Sequence, residues 1–383
     1  MNMIELQLEE FDKVRELFSE VEFNLNCMVV INGINPGRIW VDSKEKPTCG
    51  FLVDNTWSFF LVGNPNNSEF NASVGKILRE EIFPISKDQE EVTYGDWVFY
   101  FEHQDWFEKI IDDFGIKDPI PLKRYYYLFE KLFIPDWREK IPKGFEMRKI
   151  DESLLKQEKL VNLDNAKGWI NANYGSEEKF LELGSGFCLV ENNEVIASWC
   201  VSDWCVGNRI EIGIVTARDY RRKGLATLCT AAHVEYYHKK GYQIGWHCNQ
   251  DNEGSWRTAE KVGFVRNKSY LAANGLYKEK DHLSLNAWYR GVYLEQTEIG
   301  IQYIKRALEM GPERQHYFVY AQLLIKLKKF TEAIDVLMKI TKMDHPNPAY
   351  YKNYLETNEI FQEMRKMQEW KALMKSVEAL IKE

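Results

Sequence analysis

The sequence of 383 residues lacks the features that mark several protein classes. Its seven cysteines are scattered without C-x-x-C spacing, so no metal site is predicted and reduced thiols in a cytoplasmic protein are expected. No apolar run is long enough to cross a bilayer, and the amino-terminal segment is too acidic for a signal peptide. A net charge of -8 argues against a dedicated nucleic-acid-binding protein, because such proteins usually carry a basic face.

The elements that are present predict three regions in an α+β protein with a mixed sheet. Residues 1–140 alternate strands and helices, which indicates an α/β domain, and Cys27–Ile31 is one of its predicted strands. Residues 141–280 contain the clearest hairpin of the chain, and residues 281–383 show only helical patterns. We therefore expect two α/β-type domains followed by an all-helical region.

The feature of the sequence that indicates a function most specifically is a basic turn between a predicted strand and a predicted helix. The predicted strand Asn208–Thr216 leads into three cations and a glycine, which are Arg221, Arg222, Lys223 and Gly224. The first backbone N–H groups of a helix lack internal partners and lie at the positive end of its dipole. Such a turn binds phosphate or pyrophosphate, although the spacing is neither G-x-x-x-x-G-K-[ST] nor G-x-G-x-x-G. The alternative is an ordinary helix start with solvated cations.

A second sequence pattern lies after the basic turn. The predicted strand Gln243–Cys248 is followed by N-x-x-S, which consists of Asn252 and Ser255, and then by a short helix that ends in K-x-G-F at Phe264. Together the two patterns resemble the GNAT superfamily of acetyl-CoA-dependent N-acetyltransferases. The pyrophosphate signature of that superfamily, [QR]-x-x-G-x-[GA], is matched by Arg221, Gly224 and Ala226.

Within that superfamily, the chain resembles the branch that contains the zwittermicin A resistance acetyltransferase. The segments G-x-I-W-V-D (Gly37–Asp42) and F-F-L-V-G-N (Phe59–Asn64) also resemble that branch, so that the resemblance covers roughly residues 20–275. It implies that residues 1–140 are a degenerate, cofactor-free relative of the domain at 141–280.

The resemblance implies acetyl-CoA as co-substrate and a set of residues that bind it. The end of the strand before the turn would lie along the pantetheine arm, and the turn would hold the pyrophosphate. The predicted cofactor-binding residues are Ile214, Val215, Thr216, Arg221, Arg222, Lys223, Gly224, Leu225, Ala226, Thr227, Asn252 and Ser255.

Glu211 is the predicted general base, because strand alternation places it with Gly213 on one face of its strand. The alternative is an exposed strand glutamate that pairs with Arg209 or with another neighbour. The tyrosine that often serves as general acid in the family would fall at Ala259, so this group is absent. Ser255 is the predicted catalytic replacement, and the further alternatives are water, Cys248, His247 and Tyr270.

The acceptor is predicted to be a primary amine of a small molecule, and antibiotic resistance is one role that the resemblance suggests. Trp199 and Trp204 are interpreted as core residues, with an acceptor-pocket wall as the alternative. A faint repeat with an offset of about 33 residues indicates tetratricopeptide-like helix pairs after residue 281, and these would pack on the transferase or on a protein partner. The second hypothesis is a CoA-binding sensing or interaction module that works through this tail with little turnover.

Overall fold

The computed structural model describes residues 3–84, 96–344 and 347–382. The chain divides into two compact units, the first formed by Met1–Ile82 and Trp97–Asn274 and the second by Phe83–Asp96 and Gly275–Glu383.

The strands of the described residues form one mixed sheet of 12 strands in the order β1-β2-β3-β4-β5-β12-β6-β11-β10-β9-β8-β7. This architecture confirms the predicted α+β class with a mixed sheet. The strands are β1 Ile4–Glu5, β2 Gly37–Val41, β3 Cys49–Asp54, β4 Ser58–Gly63, β5 Asp96–Phe101, β6 Ile120–Phe129, β7 Phe145–Lys149, β8 Gly186–Glu191, β9 Val195–Val206, β10 Arg209–Thr216, β11 Gln243–Asn249 and β12 Phe264–Leu276.

The helices of the first unit pack on this sheet, and several begin at a side-chain cap, as with Ser176 before α6 and Asn252 before α8. They are α1 Leu25–Ile31, α2 Ser68–Ile77, α3 Trp106–Asp112, α4 Glu152–Leu155, α5 Leu163–Tyr174, α6 Glu177–Leu183, α7 Leu225–His238 and α8 Glu253–Val262. The predicted strand at Cys27–Ile31 is wrong, because this segment belongs to α1. Every residue of α1 is buried, and a short, wholly apolar run carries no period that separates a helix from a buried strand.

Three strands are arranged so that a cleft opens in the sheet. β10 pairs with β11 in parallel only at Arg209↔Gln243, Ile210↔Ile244 and Glu211↔Gly245, although both strands continue beyond these pairs. On its other side β10 stays paired with β9 as far as Thr216↔Ser198. The side of β10 that faces β11 is therefore without a strand partner after Glu211.

His233 lies on α7 with its side chain fully buried. Its Nε2 is 3.2 Å from the carbonyl oxygen of Ser185, and its Nδ1 has no hydrogen-bond partner among the described residues. Burial lowers the pKa of His233 from 6.5 to about 4. The folded state therefore holds a neutral imidazole at a pH where the unfolded chain is already protonated.

This burial predicts a loss of stability in acid. Because the folded pKa is the lower one, the free energy of unfolding should fall as the pH drops from 6.5 to about 4, by about 3 kcal/mol. Urea unfolding across this interval should show His233→Phe losing this part of the pH dependence while the other histidines keep theirs. An unchanged slope in the variant would contradict a neutral buried His233.

The second unit consists of helices α9 Glu279–Trp288, α10 Thr297–Glu309, α11 Arg314–Lys326, α12 Phe330–Ile340, α13 Pro348–Thr357 and α14 Gln368–Lys382. This confirms a helical carboxyl-terminal region. Gly300 lies against Gly291, since a Cβ on Gly300 would be 2.7 Å from the Cα of Gly291. In the part of the chain that the structure describes, no helix combines the length and the apolarity needed to span a bilayer.

Candidate active site

An outer cleft of about 790 Å³ lies where β10 ends and where α7 and α8 begin. It is lined by every predicted cofactor-binding residue except Lys223. The side chain of Leu225 is buried in the core, so that this residue offers the cleft its backbone alone. The remaining wall, none of which was predicted to bind the cofactor, consists of Tyr220, Trp246, Gly254, Arg257, Thr258 and Lys261, the last being the lysine of the K-x-G-F pattern.

The amino end of α7 presents free backbone amides to this cleft. Gly224 precedes the helix with φ 79°, a left-handed conformation that favours glycine, and it makes no side-chain cap. None of the backbone N–H groups of residues 222–227 donates to an acceptor in residues 3–84, 96–344 and 347–382. Because the helix dipole adds positive potential at this end, the segment is suited to an anion.

The lysine and arginine side chains near these amides do not all face the cleft. The Nε of Arg221 donates to the carbonyl oxygen of Thr216 at 3.2 Å, which ties the turn to the end of β10. Lys223 instead lies over the ring of Tyr220, with 5.0 Å between its Nζ and the ring centroid. Arg222, Arg257 and Lys261 line the cleft, so its positive charge comes from the turn and from α8.

An inner cavity of about 330 Å³ meets the outer cleft at four residues that line both: Ile214, Trp246, Asn252 and Ser255. The inner cavity is lined by Glu211, the predicted base, by His247 and Cys248, two of the alternatives to Ser255, and by Gly213. Its other wall residues are Asn24, Asn26, Tyr100, Arg124, Trp169, Asp203, Trp204, Ile212 and Asn249.

Glu211 is buried, with an exposed fraction of 6%. Its Oε1 accepts hydrogen bonds from the backbone N–H of Leu25 at 2.7 Å and from Nε2 of His247 at 3.1 Å. The alternative of an exposed strand glutamate that pairs with Arg209 is therefore wrong. Its carboxylate is held in one orientation at the edge of the inner cavity.

A chain of hydrogen bonds fixes His247 behind Glu211. Arg124, which can only donate, gives its Nε–H to the hydroxyl of Tyr270 at 2.9 Å. The Tyr270 hydroxyl donates in turn to Nδ1 of His247 at 2.8 Å, which leaves the imidazole proton on Nε2, facing Glu211. Burial raises the pKa of Tyr270, and this residue does not line the inner cavity, so its hydroxyl is committed to orienting His247.

Asp203 is a second carboxylate in the cavity, and the sequence analysis did not single it out. The β9–β10 register shifts after Glu211, which pairs with Trp204, whereas Ile212 pairs with Ser202, so Asp203 is the extra residue of a bulge. Its Oδ1 accepts from Nε1 of Trp169 at 2.5 Å and from Nδ2 of Asn173 at 3.2 Å. Burial raises the pKa of Asp203 to about 8.

Ser255 and Asn252 lie at the junction of the two spaces. The Oδ1 of Asn252 accepts from the backbone N–H of Ser255 at 3.2 Å, which caps α8. The Oγ of Ser255 accepts from Nε1 of Trp246 at 3.0 Å, so its own hydrogen is available to another acceptor. Of the two tryptophans interpreted as core, Trp199 is a core residue, whereas Trp204 also lines the inner cavity.

The arrangement defines a two-substrate group-transfer enzyme. An anion site at a helix start lies next to a gap between two parallel strands, and beyond the gap lies a cavity with carboxylates in its wall. Two reactants can therefore meet at the junction of the two spaces. The family described as GNAT acetyltransferase matches residues 15–273. The chain belongs to this family and is an enzyme of the GNAT N-acetyltransferase type.

Relatives of this chain agree with that family. An uncharacterized N-acetyltransferase, YdfB of Bacillus subtilis, is 21% identical over 260 residues, which are 68% of this chain and 94% of that protein. The crystal structure of a GCN5-related N-acetyltransferase-like protein from Streptococcus suis is similar with a TM-score of 0.54 at 23% identity. That match covers 70% of this chain and 98% of the other, and it confirms the GNAT fold.

Proposed function

We propose that the protein transfers an acetyl group from acetyl-CoA directly to a primary amine of a small molecule. The observation that carries this proposal is the row of unpartnered amides at residues 222–227, at one end of a cleft whose other end opens onto a cavity with a fixed carboxylate. The first feature suits a pyrophosphate and the second suits a reacting amine.

In this proposal the cofactor follows the free side of β10. The pyrophosphate binds the amides of residues 222–227, with Arg221 and Arg222 supplying charge. The pantetheine arm then lies along the backbone of Ile214, Val215 and Thr216, where the facing strand has separated. The Oγ1 of Thr216 lies 2.8 Å from the Oγ of Ser198, so that its side chain is engaged and its backbone is the part offered to the arm.

Glu211 is the proposed general base. It removes a proton from the acceptor ammonium, and the neutral amine attacks the thioester carbonyl to give a tetrahedral intermediate. Collapse of this intermediate breaks the C–S bond, releases CoA as a thiolate and leaves an amide whose nitrogen loses its second proton. That proton replaces, through water, the one that Ser255 gives to the thiolate, and the proton on Glu211 passes to solvent. Because the Oγ of Ser255 already accepts from Trp246, its hydrogen can be directed at that thiolate, which makes Ser255 the proposed proton donor.

A covalent acyl-enzyme is not part of the proposal. Cys248 is the thiol in the inner cavity wall, and burial raises its pKa to about 11. A thiol is a poor nucleophile compared with its thiolate, so Cys248 remains protonated and unreactive at neutral pH.

The biological setting is a further part of the proposal. Free thiols at all seven cysteines suit the cytoplasm, and the resemblance to the zwittermicin A resistance branch favours a role in antibiotic resistance or self-protection. The domain at 1–140 is proposed to be a GNAT-like relative that lends residues such as Asn24 and Arg124 to the cavity. The helical region, with its tetratricopeptide-like pattern, is proposed to bind a protein partner. The sensing alternative is not favoured, because a module without turnover has no need of the carboxylate cavity.

Release of the CoA thiol tests the function. Purified protein with acetyl-CoA should release thiol when offered small amines, and mass spectrometry should find one acetyl group on the amine. The control omits the amine and measures hydrolysis alone. A flat response across polyamines, aminoglycosides and peptides, with CoA still bound, would contradict the transferase and favour the sensing module.

A further inference from the structure

Two carboxylates in the inner cavity are each held by one oxygen and leave the other without a partner. Glu211 uses Oε1 for Leu25 and His247, and Asp203 uses Oδ1 for Trp169 and Asn173. Within the described ranges, Oε2 of Glu211 and Oδ2 of Asp203 accept no hydrogen bond, while both residues line the same space. A reacting amine needs only one of these carboxylates.

The basic side chains in the cavity wall do not pair with Asp203. His247 faces Glu211, and Arg124 gives its Nε to Tyr270 and its Nη1 to Asn249. No lysine, arginine or histidine nitrogen of the described residues lies within ion-pair distance of Asp203. Asp203 is partly buried, and desolvation of a carboxylate without a counter-ion is costly, which its pKa of about 8 reflects. A cation brought in by a ligand would remove the cost.

Asn24 supplies an independent sign that this cavity takes a ligand. Its side chain has an exposed fraction of 3% and lines the cavity, and its Nδ2 is buried with no hydrogen-bond partner in the described part of the chain. Buried amide N–H groups are nearly always paired in folded proteins, so an unpaired one at a cavity wall points to a bound molecule. In the proposed reaction, the lone pair of the neutral reacting amine or the carbonyl oxygen of the acetyl group can accept from it.

The size and lining of the cavity restrict that molecule. Its volume of about 330 Å³ is at the lower end of the range for ligand pockets, which suits a compact acceptor. The rings of Tyr100, Trp169 and Trp204 form part of the wall, and aromatic rings accommodate both alkyl chains and ammonium groups.

We propose that the acceptor is a small diamine, whose second ammonium group is bound by Oδ2 of Asp203 while its first amine reacts beside Glu211. This inference rests on the proposed function and makes Asp203 the residue that selects the substrate. The bulge in β9 is what turns Asp203 toward the cavity alongside Glu211. Gly213 leaves room for its carboxylate, since a Cβ there would lie 2.2 Å from Oδ1 of Asp203.

The test compares diamines with monoamines of the same chain length. Wild-type protein, Asp203→Asn and the control Asp164→Asn are offered putrescine and cadaverine, and then butylamine and pentylamine. Asp203→Asn keeps an oxygen for Trp169 and Asn173 but removes the charge, whereas Asp164 is an exposed carboxylate on α5, the helix that carries Trp169. Two quantities are measured: kcat/KM from thiol release, and calorimetric binding of each amine to the protein–CoA complex.

The wild-type protein should prefer diamines by about 30-fold or more in both measurements, the factor expected for one desolvated charge pair. Asp203→Asn should bring the diamine-to-monoamine ratio close to one, and Asp164→Asn should leave it unchanged. Gly213→Ala, which displaces the Asp203 carboxylate, should lower the ratio as well and serves if Asp203→Asn does not fold.

Equal use of diamines and monoamines by the wild-type protein would overturn the inference, and so would a loss in Asp203→Asn that is the same for both series. Failure of the proposed function looks different, because then no amine is acetylated at all. The calorimetric comparison still decides the inference in that case, since equal or absent binding of the two amine series would overturn it.

Discussion

Gly224→Asp is expected to weaken the binding of acetyl-CoA and of CoA by about 100-fold or more, because it places a carboxylate beside the proposed pyrophosphate site. A Cβ at Gly224 meets no atom within 4 Å, so the new side chain extends into open space rather than into the core. Isothermal titration calorimetry with CoA measures the loss without requiring turnover.

Gly224→Asn is the matched control for charge. Asparagine has nearly the same size as aspartate and, like it, tolerates the left-handed conformation that Gly224 adopts with φ 79°. Both variants should lower the thermal unfolding temperature by a similar small amount, while only the aspartate variant loses affinity severely. Equal affinities in the two variants would contradict an anion at the start of α7.

The outer cleft is the part of the site that can be predicted from the sequence, because its residues lie close together along the chain. The predicted residues between Ile214 and Thr227 follow one another along a strand, a turn and a helix, so a contiguous pattern already places most of them on one wall. The asparagine and serine of N-x-x-S are similarly close in sequence, and Asn252 serves as the cap of α8. Lys223 is the exception, because its direction depends on the ring of Tyr220.

The inner cavity is assembled from residues that are distant in sequence, and no local pattern predicts it. Asn24 belongs to the turn before α1, a helix that was predicted as a strand, and Arg124 lies on β6, which pairs with β11. Asp203 reaches the cavity through a register shift, and alternation within a strand cannot reveal such a shift. An amine acceptor was predicted from the sequence, but tertiary packing alone creates the pair of carboxylates.

Glu211→Gln is expected to lower kcat by about 100-fold or more at neutral pH, within the range that general-base catalysis supplies, and to leave the affinity for acetyl-CoA nearly unchanged. The glutamine side chain can still accept from Leu25 and His247 through its Oε1, so the cavity keeps its shape. The measurement is the rate of thiol release at saturating amine, with CoA binding by calorimetry as the companion. Glu235→Gln is the control, because Glu235 is a mostly buried carboxylate on α7 that pairs with Arg138 and lines neither cavity.

The pH dependence of kcat/KM distinguishes a general base from a residue that has only a structural role in the site. As the pH rises toward the pKa of the acceptor amine, more of the amine arrives already neutral, and the variant has less need of a proton acceptor. The deficit of Glu211→Gln in kcat/KM should therefore shrink with rising pH. A purely structural role would give a deficit that is constant across the same range, because the shape of the cavity does not depend on the protonation of the substrate. A constant deficit would transfer the role of base to Asp203, the other carboxylate with an unpaired oxygen in this cavity.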